Sequence, residues 1–168
     1  MFDILLYQPQ IPPNTGNIIR LCANSDARLH LIGELGFSLE EKALRRAGLD
    51  YHDLAEVHHW PDLPHYLSAH PHITSGENHI WAITKFGKNR YDSVTFRRGD
   101  ALLFGSEQHG LPQTIKDGLG DSQQLFLPMR SGSRSLNLSN AVAITLYEAW
   151  RQHDFSSSAE YSSIDSPA

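Results

Sequence analysis

A chain of 168 residues, 40% hydrophobic and 20% charged, suits one domain with a sizeable core. Its single cysteine, Cys22, excludes an intrachain disulfide and a cysteine-rich metal centre. A formal charge of −5 excludes a uniformly basic nucleic-acid binder, but the last 15 residues carry three acids and no Lys or Arg, leaving −2 for the rest.

The start, MFDILLYQPQ, lacks the basic flank and long apolar run of a secretory signal, and no window is long enough to span a bilayer. A soluble, cytoplasmic chain is the expectation. Residues 2–7 (FDILLY) read as the first strand. The stretch that follows, QIPPNTGNIIRLCAN, reads as a helix, with Asn14 suited to its N-cap and Gly16 to close backbone approach. At 100° per residue Ile18, Ile19, Cys22 and Ala23 share one arc, and Asn17, Arg20 and Asn24 share another. Arg20 therefore fits two roles: pairing an acid at the core edge, or serving a polar pocket. Cys22 lies on the apolar arc with no histidine near it in sequence, which suits an inert core thiol better than a nucleophile.

Strands are expected at 28–32, 55–60, 79–84, 101–105 and 124–128. Ser38 with Glu41 forms a capping box for a helix that Gly48 closes, and 62–69 reads as a short helix despite Pro64. Between Lys85 and Arg98 five basic residues meet one acid, Asp92, a local patch able to track phosphates or merely to solvate a loop. After the 101–105 strand, Gly105 and Gly110 frame Glu107 in GSEQHGLP. No Lys-Ser/Thr follows, so it is not a Walker loop, and no GxGxxG follows the first strand. Glu107 could brace loop amides or act as an acid; spacing leaves both open.

Near the end, two arginines precede Ser135, Asn137, Ser139 and Asn140, which crowd the start of a helix running from about Leu136 to Gln152. That helix has an apolar arc on one side and Ala141 and Ile144 on the other, a pattern that suits a dimer interface. The domain is expected over 1–153, with the Ser-rich 154–168 as a disordered tail. His58-His59 and His70-Pro71-His72 lack zinc-site spacing and read as surface or linker histidines, so no metal is expected. Strand–helix alternation implies an α/β fold, a parallel sheet with helices on both faces. Ligands in such folds bind beyond the strands' carboxyl ends, which here means 8–17, 85–90, 105–112 and 128–137.

Taken together, IPPNTGNIIRLCAN, LRRAGLDYH, FGSEQHGLP and SRSLNLSNAVAITLYEAWRQ resemble the SPOUT-class RNA 2′-O-ribose methyltransferases, and within them the TrmL (YibK) family, over roughly residues 1–152. The resemblance implies a SPOUT fold with a C-terminal trefoil knot, which pattern alone would not suggest. It also implies S-adenosylmethionine as methyl donor, a homodimer, no metal, and a tRNA substrate methylated at cytidine or uridine of wobble position 34, leucine isoacceptors being the expected substrates. Carried over by position, catalysis falls to Arg20, Asn14, Glu107 and Asn137, and cofactor binding to Ile83, Gly105, Leu127 and Ser135. In the middle loop, Ser106 and His109 stand where the family usually has proline and arginine. Other readings are a SPOUT methyltransferase acting on ribosomal RNA or another tRNA position, and a non-catalytic RNA-binding module.

Overall fold

The computed structural model describes residues 1–25, 27–38 and 57–156. The helix expected over 38–48, the LRRAGLDYH motif and the tail beyond 156 lie outside the described residues.

Among the described residues seven strands form one sheet: β1 (Phe2–Tyr7), β2 (Ala27–Ile32), β3 (Val57–Trp60), β4 (Ile80–Ile83), β5 (Asn89–Arg90), β6 (Ala101–Phe104) and β7 (Gln124–Phe126). Their order is β3-β2-β1-β6-β4-β7-β5, and every pairing between them is parallel. Central β1 pairs Phe2–Tyr7 with Ala27–Ile32 on one side and Asp3–Leu6 with Ala101–Phe104 on the other. It is covered on both faces, which is why FDILLY reads as a continuous apolar run apart from Asp3.

The two faces follow the period-2 alternation of β1. Phe2, Ile4 and Leu6 face Ile18 and Ile19 of α1 (Pro12–Ala23) and Val142, Leu146 and Ala149 of α5 (Leu138–Arg151). Leu5 faces the other way, in a cluster with Ile32, Leu103 and Tyr66 of α2 (Leu63–Ala69), against which Ile115 and Leu119 of α4 (Gln113–Leu119) pack. A one-turn helix, α3 (Pro71–Thr74), follows α2. Helices on both faces of a parallel sheet match the expectation from sequence.

Local chemistry accounts for the differences. Pro64 sits in the first turn of α2, where no N–H is required, and Asp62 Oδ1 caps that turn by accepting from His65 N at 2.9 Å. Asn14 is not an N-cap: the two prolines start α1 earlier, so Ile11 holds that position and makes no side-chain cap. Ala23, placed on the apolar arc by periodicity, is exposed at the helix end. Helix α4 was not anticipated, although Pro112 before it and Gly120, at φ +74°, after it are ordinary boundary signals.

Among the described residues two carboxylates are wholly buried. Asp100 enters β6 and accepts from Asn78 Nδ2 (3.1 Å), His79 N (2.9 Å), Trp81 Nε1 (2.8 Å) and Arg97 N (2.9 Å), so both oxygens are satisfied. Asp3 accepts from Arg28 Nε at 2.7 Å and from the Tyr66 hydroxyl at 2.8 Å. Burial by itself would raise the Asp3 carboxyl, but His30 and Arg28 beside it more than offset that and hold it at about 2. His30 itself is held below the ordinary histidine range, chiefly because burial disfavours its cation.

Because Asp3 titrates lower folded than unfolded, its contribution is complete above its ordinary 3.8 and is lost as pH falls toward 2. The urea-stability difference between the protein and Asp3→Asn should thus shrink by about 2 kcal/mol between pH 5 and pH 2. A difference that stays flat with pH would remove Asp3 as a charged anchor.

Candidate active site

The carboxyl ends of β1, β4, β6 and β7 open on one cavity of about 980 Å³. It lies beside the point where the strand order reverses, with β2 and β3 on one side of β1 and β6 on the other. Its size suits a drug-sized ligand.

One carboxylate holds the loops around it. Glu107, in the loop after β6, accepts from Gln10 N (2.8 Å), Ile11 N (3.2 Å) and Asn14 Nδ2 (2.9 Å). Asn14, buried at 5%, passes the link on, because its Oδ1 accepts from Asn137 Nδ2 at 2.9 Å. Asn137 is the N-cap of α5, its Oδ1 accepting from Ser139 N at 2.9 Å and Asn140 N at 3.4 Å. A single hydrogen-bonded chain therefore ties the loop after β1, the loop after β6 and the start of α5. With both oxygens occupied by three N–H donors, Glu107 acts as a brace rather than as an acid or base.

The Glu107 loop is closed by its own backbone. A Cβ on Gly105 would lie 2.1 Å from the carbonyl carbon of Gly110, so only glycine fits there. Gly110 N–H donates to Ser106 O at 2.9 Å, and the Ser106 hydroxyl accepts from His109 N at 3.2 Å. Ser106 thus shapes the turn through its hydroxyl.

Seven of the eight residues singled out from sequence line the cavity: Asn14, Ile83, Gly105, Glu107, Leu127, Ser135 and Asn137. Arg20 is the exception. It is exposed on the outer side of α1 with Asn17, and is not among the residues that line the cavity. The far wall, including Gln113, Lys116 and Asp117 of α4, escaped sequence analysis along with the helix itself.

Two rival chemistries fail on local grounds. Burial pushes the Cys22 thiol up to about 12, far from a thiolate nucleophile. Asp3, His30 and His70 do come together, with ligand atoms within 4.8 Å, so His70 is part of a buried cluster rather than a surface or linker histidine. The donor set does not fit a metal, however. Trp60 Nε1 donates to His30 Nδ1 at 3.0 Å, which leaves the proton on the Nε2 that faces Asp3.

With this geometry in view, comparisons with known proteins are decisive for family. The family model described as "SpoU rRNA Methylase family" matches residues 1–147. The chain belongs to the SpoU rRNA methylase family. Among curated SpoU-type relatives, the tRNA (cytidine(34)-2′-O)-methyltransferase of Methylovorus glucosotrophus (strain SIP3-4) is 52% identical over 92% of this chain and 97% of its own. The protein of the same name from Escherichia coli (strain K12) is 48% identical over 90% and 94% respectively. A solved structure described as "Structural insights into the 2-OH methylation of C/U34 on tRNA" superposes with a TM-score of 0.83 at 38% identity, covering 92% of this chain and 97% of that one. The SpoU methyltransferase AviRb of Streptomyces viridochromogenes, in complex with AdoMet, superposes at 0.73 with 25% identity, over 90% of this chain and 57% of its own. The observed sheet is that of the SPOUT methyltransferases.

The brace makes a test possible. Glu107→Gln keeps the side-chain volume but turns an NH₂ toward N–H donors, and should cost about 2 kcal/mol in urea denaturation. Stability equal to that of the parent protein would show that Glu107 does not hold the loops.

Proposed function

We propose that this chain transfers a methyl group from S-adenosylmethionine to the ribose 2′-hydroxyl of the wobble nucleotide, cytidine or uridine 34, of tRNA. The observation that carries this reading is the Glu107–Asn14–Asn137 chain framing one cavity, in a protein 52% identical over nearly its full length to a tRNA (cytidine(34)-2′-O)-methyltransferase. Leucine isoacceptors are the substrates proposed, and the cytoplasm the compartment. Among the described residues no helix is long and apolar enough to cross a membrane, in keeping with that location.

The residues present fit the methyl donor. Ile83, Leu127 and Leu138 give the cavity apolar walls for a flat adenine, and Asp117 supplies a carboxylate for a cationic ligand. When bound, S-adenosylmethionine supplies a methyl group made electrophilic by its sulfonium. Ile83, Gly105, Leu127 and Ser135 would hold it. Asn14, Glu107 and Asn137 keep the loops in place beforehand, so that orientation costs little on binding.

A ribose hydroxyl is a weak nucleophile and needs its developing negative charge stabilised. Arg20 takes that role from outside the cavity, clamping the neighbouring phosphate and the oxyanion as RNA covers the mouth. A guanidinium stays protonated, which suits a clamp better than a base.

We also propose a homodimer. Leu136, Ile144 and Tyr147 are exposed at 39–45% on and beside the outer side of α5, the face that periodicity left without cover. A trefoil knot in the C-terminal part and a disordered Ser-rich end belong to the same reading.

Nucleoside analysis of tRNA from cells lacking the chain should show loss of a 2′-O-methylated pyrimidine at position 34. Loss of a ribosomal RNA methylation instead would favour the substrate in the family's description. Arg20→Ala should lower methyl transfer by at least about a hundredfold, some 3 kcal/mol, with S-adenosylmethionine affinity unchanged. Retention of most activity would remove Arg20 from the mechanism.

A further inference from the structure

Phe86 is the most exposed large apolar side chain among the described residues, at 79%. It stands at the rim of the cavity, in the loop that leaves β4. The backbone beneath it is fixed. Thr84 N donates to Leu125 O at 2.9 Å, and Lys88 N donates to Gln124 O at 3.0 Å. Between them Gly87 is pressed onto β7, where a Cβ would lie 2.3 Å from the Leu125 carbonyl carbon. The ring is therefore presented to solvent by a rigid turn, at a cost in hydration that only a partner can recover.

The chemistry around the ring says what kind of partner. Lys85 Nζ lies 5.5 Å from the ring centroid, and Lys85 and Lys88 both line the cavity with Phe86. Arg90, just beyond, is paired with Asp92. Acids on the opposite wall include Asp117, which accepts from Gln113 Nε2 at 2.7 Å. A protein partner would call for a contiguous apolar patch, whereas here a single aromatic ring has the Lys85 ammonium over one face and Lys88 two residues on along the same rim. Unpaired nucleic acid matches that arrangement: a base stacks on the ring while its flanking phosphates meet the lysines. Paired RNA would not, because its bases are already stacked.

Resting on the RNA reading above, we propose that Phe86 is a stacking platform for an unpaired nucleobase next to the methylated nucleotide, with Lys85 and Lys88 taking its phosphates. The platform makes the enzyme select a looped-out or single-stranded target.

The test compares Phe86→Ala, Phe86→Leu, Phe86→Tyr and Phe86→Trp on a tRNA anticodon stem-loop. Alanine and leucine should each raise the stem-loop Kd and lower kcat/KM by roughly ten- to a hundredfold, since base–aromatic stacking has that worth. Tyrosine and tryptophan should stay within about threefold of the parent, the rescue expected of a π-face and not of mere bulk. S-adenosylmethionine affinity, by calorimetry without RNA, and solution mass should be unchanged in all four.

Unchanged stem-loop binding in Phe86→Ala would overturn the proposal, as would leucine matching tyrosine. A loss confined to S-adenosylmethionine affinity would make Phe86 part of the cofactor pocket. A fall in solution mass would make it an interface residue; either result defeats stacking. If the parent methylates no RNA, the functional reading falls, while gel-shift of the same stem-loop against Phe86→Ala still judges the platform.

Discussion

The structure around the cavity depends on one carboxylate. Glu107 sits 93–97 residues from the amides it binds, and its three hydrogen bonds fasten the loops that leave the paired strands β1 and β6. They are charge-assisted and shielded by the loops they gather, which makes each stronger than an exposed neutral bond. Asn14 converts that anchor into a relay, its amide N–H₂ given to Glu107 and its carbonyl oxygen to Asn137. Two amides and a carboxylate thereby place the start of α5 against the start of α1. The cavity is the space those crossings leave open.

Much of this was legible in the sequence. Apolar runs placed six of the seven strands among the described residues, most clearly β1, β2, β4 and β6, whose burial leaves little room for polar side chains. The loops at the strand ends stood out by their Gly, Pro, Asn and Ser content, and those residues do the closing: Gly105 against Gly110, Gly87 against β7. What stayed illegible was short or pairwise. β5 is two polar residues long, and α4 is a seven-residue helix with little apolar periodicity. No pattern within one segment could tell a bracing Glu107 from a catalytic one, since its partners lie in another part of the chain. Arg20 shows the converse: the helical wheel put it on a polar stripe, but a wheel does not say whether that stripe looks into a pocket or out of it.

Chemistry is therefore divided across the mouth of the cavity. Inside are the residues suited to holding a methyl donor, preset by the Glu107 relay. Lys85 and Phe86 line the cavity's rim, while Arg20 stands outside it, exposed on α1. On the function proposed, such a division would tie catalysis to the arrival of RNA, because Arg20 is not among the residues that line the cavity.

On the β2 side of β1, the bond from Trp60 to His30 couples β3 to the protonation of the buried Asp3–His30 cluster. Trp60 is the last residue of β3, which among the described residues pairs with β2 alone. His30 cannot take a second proton without turning Nδ1 from acceptor to donor and expelling the indole N–H. Acid strong enough to protonate His30, which burial already holds below the ordinary histidine range, therefore breaks the Trp60–His30 hydrogen bond that ties β3 to β2.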